Sequence, residues 1–174
     1  GVNSIGVNTH LNFRALYEKD KISFDNAVEL LYGFVNLSDQ NPSFRKTNDR
    51  IFLDSKLGYK LNDAWDVFGS LNFQTQWADG FRYERGTGDR DEEILISGFF
   101  APAFITTSWG LQYEPAKFFR LRLAPFSPRI TIVNNTDVIV NVPENYGVAP
   151  GETVRYEWLA FQMMADFDKD IAEN

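Results

Sequence analysis

The chain of 174 residues contains no cysteine and a single histidine, His10. The first absence excludes disulfides and thiolate-held metals, and the second excludes multi-histidine metal sites. No run of about 18 apolar residues occurs, so no transmembrane helix is expected. Helical periodicity is also lacking, and no segment reads as a convincing amphipathic helix. Positive charge is in deficit: 17 Lys and Arg against 24 Asp and Glu leave a formal net charge of −7. That balance argues against a general binder of nucleic acid or anionic lipid. No signal-peptide pattern opens the chain at Gly1, and DFDKDIAEN closes it without a terminal signal. It is expected to be a mature segment, cut from a longer chain at one or both ends, and to form one domain over residues 1–174.

Aromatic residues and alternation are what the sequence has in plenty. Phe, Tyr and Trp make up 16% of the chain. In RIFLDSKLGYKLNDAWDVFGSLNFQTQW (residues 50–77), every second residue is apolar, from Ile51 and Leu53 through Trp65 and Val67 to Leu71, Phe73 and Trp77. The residues between are Arg50, Asp54, Lys56, Lys60, Asp66, Ser70, Asn72, Gln74 and Gln76. This period of two predicts β-strands with two unlike faces. The same pattern runs over residues 4–17, 22–34, 95–113, 118–124 and 154–168. In the last of these, Leu159, Phe161, Met163, Ala165 and Phe167 share a face. With the two strands of the 50–77 hairpin, seven long strands result. Pro102 is expected to interrupt the 95–113 strand. Tight turns at 18–21, 62–64 and 114–117 alternate with long connections at 36–49, 78–93 and 125–153. All tight turns therefore fall at one end. The last connection holds RITIVNN and VIVNV, which read as a small hairpin of their own.

Two solvents fit such alternation. In a soluble sandwich or a ligand-binding barrel the apolar face turns inward. In a transmembrane barrel it turns to lipid, and the polar face lines the lumen. Three features favour lipid. Alternation lasts longer than the five or six residues of an ordinary soluble strand, and a tilted membrane strand needs about 9–11. The polar face is rich in small polar residues and opposite charges, which suits a crowded lumen. Aromatics form two groups: Tyr17, Phe24, Tyr59, Trp65, Tyr113, Phe119 and Phe167 beside the tight turns, and Tyr32, Phe34, Trp77, Phe99 and Trp158 at the other ends. Trp and Tyr favour both membrane interfaces. The expected fold is all-β, an antiparallel up-and-down transmembrane β-barrel or part of one. Seven is odd where bacterial barrels are usually even, so strands are expected beyond this segment.

FRKTNDRIFLDSKLGYKLNDAWDVFGSLNFQTQW resembles a family of outer-membrane β-barrel proteins of the Bacteroidota, defined only as a domain of unknown function. FFAPAFITTSWGLQYEP, LRLAPFSPRITIVNN, YGVAPGE and FDKDIAEN are similar to further stretches of it. The resemblance implies a barrel and an outer-membrane location. It implies no reaction and brings no catalytic residues.

The polar face supplies a candidate lumen network of His10, Arg14, Asp25, Glu29, Arg50, Asp54, Lys56, Lys60, Asp66, Gln74, Arg120 and Arg122. Read as function, it lines a pore or a small-solute site. Read as structure, it is a set of paired charges filling a narrow barrel, because buried charges need partners. The structural reading is expected. His10 has the chemistry of a general base, but no nucleophile motif accompanies it, and a hydrogen-bonded lumen residue is expected. DRDEE (residues 89–93) has carboxylates enough for a weak calcium site without the spacing of one, and reads as a solvated charge run. In the loops, Phe81, Tyr83 and Tyr146 are candidate contact residues. The expected role is a structural or accessory subunit of an outer-membrane assembly, not an enzyme. Its expected partners are outer-membrane lipid and other outer-membrane or periplasmic proteins, with no nucleic acid, cofactor or metal. A small-solute channel and a soluble ligand-binding barrel are the alternatives.

Overall fold

The structure, a computed structural model, describes residues 3–158 and 161–168. It is an antiparallel β-protein. Strands β1 (Ser4–Lys19), β2 (Ile22–Leu37), β3 (Phe44–Lys60) and β4 (Trp65–Thr75) follow one another as neighbours. A two-stranded hairpin of β5 (Gly80–Glu84) and β6 (Glu92–Ser97) then leaves the sheet. The sheet resumes with β7 (Ala103–Ala116) against β4, then β8 (Phe119–Phe126) and β9 (Arg129–Ile132), both along the free edge of β7. Strands β10 (Val154–Glu157) and β11 (Gln162–Phe167) lie outside β9 and β8. The main path, β1-β2-β3-β4-β7-β8-β11, has the seven strands that the alternation predicts, and among the described residues it is open rather than closed.

The tight turns carry the expected turn chemistry. Asp20 takes a left-handed conformation (φ 54°) between β1 and β2, a setting Asp tolerates better than most residues. Between β3 and β4, the Asn62 carboxamide oxygen accepts from the Ala64 and Trp65 amides at 2.9 and 3.0 Å. Both turns and the β7–β8 turn lie at one end, and the long connections lie at the other.

Several expected boundaries move. Residues 36–49 are mostly strand: β2 and β3 extend to Asn36↔Phe44, leaving 38–43 as the loop. The 78–93 connection contains β5. The expected 95–113 strand is two strands, split by a turn in which Gly98 and Ala101 exchange backbone hydrogen bonds of 2.8 and 3.0 Å, just before Pro102. The expected small hairpin does not form. RITI becomes β9 on the main sheet, and VIVNV falls in helix α1 (Thr136–Asn141) and its C-cap. The physical reason is a cap. Asn135 accepts from the Asp137 and Val138 amides, with acidic Asp137 in the first turn. The 154–168 strand is two pieces in a single register, with Glu157 facing Arg129 and Gln162 facing Ala124. The interruption lies opposite Pro125–Pro128, where prolines offer no N–H to the ladder. Leu159, placed on that strand by the sequence pattern, lies outside the described residues.

The buried apolar core is small and sits at the long-loop end, where Ala101, Val133, Val138 and Val148 pack with Leu95, Ile139, Val142 and Tyr146. Tyr146 is left-handed (φ 53°) and is held there by its hydroxyl, which donates to the Ile96 carbonyl at 2.5 Å. Burial pushes its phenol pKa up. The sheet itself covers its polar side better than its apolar side. Leu53, Leu57, Val67, Leu71, Trp109 and Leu111 are exposed, whereas Phe68, Ser108 and Gln112 on the opposite face are buried.

Candidate functional site on the polar face

Antiparallel register puts alternate residues of each strand on this face. On β2 and β3, Asp25 pairs with Lys56, Ala27 with Asp54 and Leu31 with Arg50. On β4 and β7, Asp66 pairs with Gln112, Phe68 with Gly110 and Asn72 with Thr106. Of the twelve predicted network residues, several are joined as expected. Arg14 grips Asp25 with two hydrogen bonds of 2.9 and 2.6 Å. Glu29 lies between His10 Nε2 (3.7 Å) and Arg50 Nη1 (3.3 Å). Arg120 pairs at 3.0 Å with Glu114, a residue outside the predicted set. Lys60 reaches Asp63 of its own turn at 4.0 Å, while Asp66 borders the turn-end hollow. Asp54 accepts from the Asn72 amide at 2.5 Å. Gln74 lines a smaller hollow with Phe104 and Arg129.

Universal charge pairing, the expectation for this face, does not hold. Lys56 and Arg122 meet no carboxylate within 4.0 Å among the described residues; both donate to Gln112 Oε1, at 3.0 and 3.4 Å. Aromatic rings that the alternation left out of the polar list take the place of carboxylates. Phe68 sits on the polar side, paired with Gly58 on one neighbouring strand and Gly110 on the other. Lys56 and Arg122 lie 5.6 and 5.3 Å from that ring. Arg50 covers Phe52 at 4.7 Å and Arg129 covers Phe104 at 4.8 Å. Each such contact is worth about 0.5–2 kcal/mol and leaves the cation's charge unneutralised.

The predicted aromatic groups lie at the two strand ends. Beside the tight turns, Trp65 meets Tyr113 at 4.6 Å between ring centres, and Tyr113 meets Phe119 at 6.4 Å. Tyr17 and Tyr59 are exposed. At the other end Tyr32 neighbours Phe34 at 6.4 Å, Trp158 stacks on Tyr156 at 5.6 Å, and Trp77 is exposed.

A second charged assembly, at the long-loop rim, escapes the sequence pattern. Arg45 donates to Asp91 at 2.5 Å and to the Pro42 carbonyl at 3.2 Å, and lies 3.9 Å over the Tyr83 ring. Next to it, Lys46 donates to Asp49 (3.0 Å) and to the Ala78 carbonyl (2.7 Å), while Asp49 accepts from the Trp77 and Ala78 amides. Arg45 fastens the β5–β6 hairpin to β3 and the loop before it, and Lys46 and Asp49 fasten β3 to the residues just before β5. Burial, with Glu93 nearby, raises the Tyr83 phenol pKa. DRDEE is therefore more than a solvated charge run, since Asp91 is spent on Arg45. The signal was present in the adjacent Arg45 and Lys46, but Asp91 and Ala78, the partners that build the rim, are remote in sequence.

Residues 1–81 match the family model described as "Protein of unknown function (DUF3078)". No curated protein and no solved structure matches the chain. The matched region carries β1 to β4 and the Arg45–Lys46–Asp49 side of the rim assembly, and ends as β5 begins.

Proposed function

We propose that this chain is a wall segment of a β-barrel in a bacterial outer membrane, of the Bacteroidota kind that its sequence resembles. In this reading it serves as a structural or accessory element of an outer-membrane protein assembly. The observation that carries the reading is the inverted exposure of the sheet. Leu53, Leu57, Val67, Leu71, Trp109 and Leu111 are exposed while the opposite, polar face is more enclosed. In water each such side chain forfeits roughly half of the about 1.5–3 kcal/mol that full burial of an apolar side chain gives, whereas acyl chains restore it. Strand length supports the same reading: β1 and β2 have 16 residues each and β3 has 17, enough to cross a bilayer at a tilt. So does the division into tight turns and long loops, the usual pattern of such barrels. The accessory role rests on the rim, where ordered loops form a platform suited to another envelope protein. We assign the chain no reaction.

This segment has no cysteine of its own, so with any cysteine elsewhere replaced by serine the test is clean. Single thiols are placed by Leu71→Cys and Asp63→Cys in the full-length protein in opened outer-membrane fragments, which expose both membrane surfaces to the reagent. A membrane-impermeant maleimide should label the Asp63→Cys thiol, on an exposed turn, and leave that of Leu71→Cys unreacted until detergent is added. Equal labelling of Leu71→Cys and Asp63→Cys before detergent is added sinks the proposal. For the accessory role, a stoichiometric envelope partner should co-purify in mild detergent; its consistent absence argues against that half of the reading.

A further inference from the structure

Cations of the polar face fall into two classes. Arg14, Arg50, Lys60 and Arg120 each meet a carboxylate. Lys56, Arg122 and Arg129 meet none among the described residues, and aromatic rings hold them instead. Lys56 and Arg122 border a hollow of about 550 Å³, with Ser70 and Ser108 beside them. Arg129 borders an adjoining hollow that shares Asn72 and Gln162 with the first. The carboxylate on these walls is Asp54, already bonded to Asn72 at 2.5 Å. Among the described residues, Lys56 and Arg122 against Asp54 leave the larger hollow one positive charge in excess, and Arg129 brings the two adjoining hollows together to two. The Nε–H of Arg122 is buried and has no acceptor among the described residues. Gln112 Oε1 takes one proton from Lys56 and one from Arg122, so both cations keep further donors.

We propose that these two adjoining hollows together bind the phosphate group of a small solute. A phosphate group carries close to two negative charges at neutral pH and presents three acceptor oxygens. That matches the excess charge of the walls and the unfilled donors of an arginine fork and a lysine point charge. A carboxylate would balance half of the excess. Phe68, buried between the two cations, supplies an apolar floor for the rest of the solute. The inference needs only the concave polar face and does not depend on which solvent meets the other side.

Ser70→Cys, with any cysteine outside this segment replaced by serine, puts a single thiol in the hollow. In the purified full-length protein, that thiol should react about tenfold faster with an anionic methanethiosulfonate than with a cationic one of similar size. Inorganic phosphate should slow the reaction. Equilibrium dialysis with radiolabelled inorganic phosphate should show saturable binding, weakened about tenfold by Lys56→Gln or Arg122→Gln. Arg82→Gln, on the rim hairpin, should leave it unchanged. Equal reactivity toward the two reagents overturns the proposal. So does unaltered phosphate binding in the Lys56→Gln, Arg122→Gln double variant, or acetate binding as tightly as phosphate. The thiol measurement removes no wall charge, so it decides the matter even where the charge variants misfold. Its outcome is separate from the Leu71→Cys labelling, which reads the other face.

Discussion

Asp49 leaves 1% of its side chain exposed, and its partner Lys46 leaves 17%. A carboxylate so enclosed is tolerated because two backbone amides and one ammonium group satisfy it. Asp49→Ala would remove the acceptor of the Trp77 and Ala78 amides and the carboxylate of Lys46 together, leaving Lys46 its bond to the Ala78 carbonyl. The expected cost is about 3 kcal/mol, the range for breaking a buried pair from one side. Trypsin should then cut the β5–β6 hairpin at Arg82, Arg85 or Arg90 well before it cuts the unaltered protein. Unchanged digestion of the hairpin would show that it is held by other contacts. None of this could be read from the chain alone. Lys46 and Asp49 sit in what the pattern marks as a loop, and Trp77 and Ala78, which they hold, lie on the far side of β4. Phe68 was equally hidden, because a period of two marks faces statistically and cannot announce that one ring sits on the polar side between two glycines.

At the scale of elements, the long strands were legible because their alternation survives for many residues. Their interruptions were less so. Pro102 was visible as a breaker, yet which partner each half would take depended on the β5–β6 hairpin leaving the sheet. Val138, Ile139, Val140 and Val142 are β-formers in isolation. Their helix exists because Asn135 caps it and because Val138 packs into the rim core. Gly110 shows a constraint of the opposite kind. At this position the β7–β8 register slips between Trp109 and Leu111, and a Cβ would strike the Leu123 carbonyl oxygen. Gly110→Ala should lower stability by about 1–3 kcal/mol through overpacking, measured by denaturant unfolding of the purified protein. A neutral outcome would mean that β8 shifts outward freely.

At the scale of the whole molecule, the two faces make opposite demands. Under the membrane proposal, Leu53→Lys and Leu71→Lys each place an ammonium group in lipid, at about 2–4 kcal/mol near the bilayer midplane. The double variant should be lost from the membrane fraction, while Asn72→Lys, on the polar face of the same strand as Leu71, should be retained. Fractionation with immunoblotting reads this directly. Retention of the Leu53→Lys, Leu71→Lys variant at the normal level would mean that neither side chain meets acyl chains.

Alternation, turn residues and the scarcity of Cys and His determined by themselves that this is an antiparallel β-protein with two chemically unlike faces and tight turns at one end. Those properties are local, since strand pleat and turn geometry act over two to four residues. The tertiary structure alone decided which face is covered, which cations lack a carboxylate, and how Arg45, Lys46 and Asp49 bind the rim. Such outcomes depend on side chains brought together from distant strands, and pairing across a sheet leaves no periodic trace in the chain.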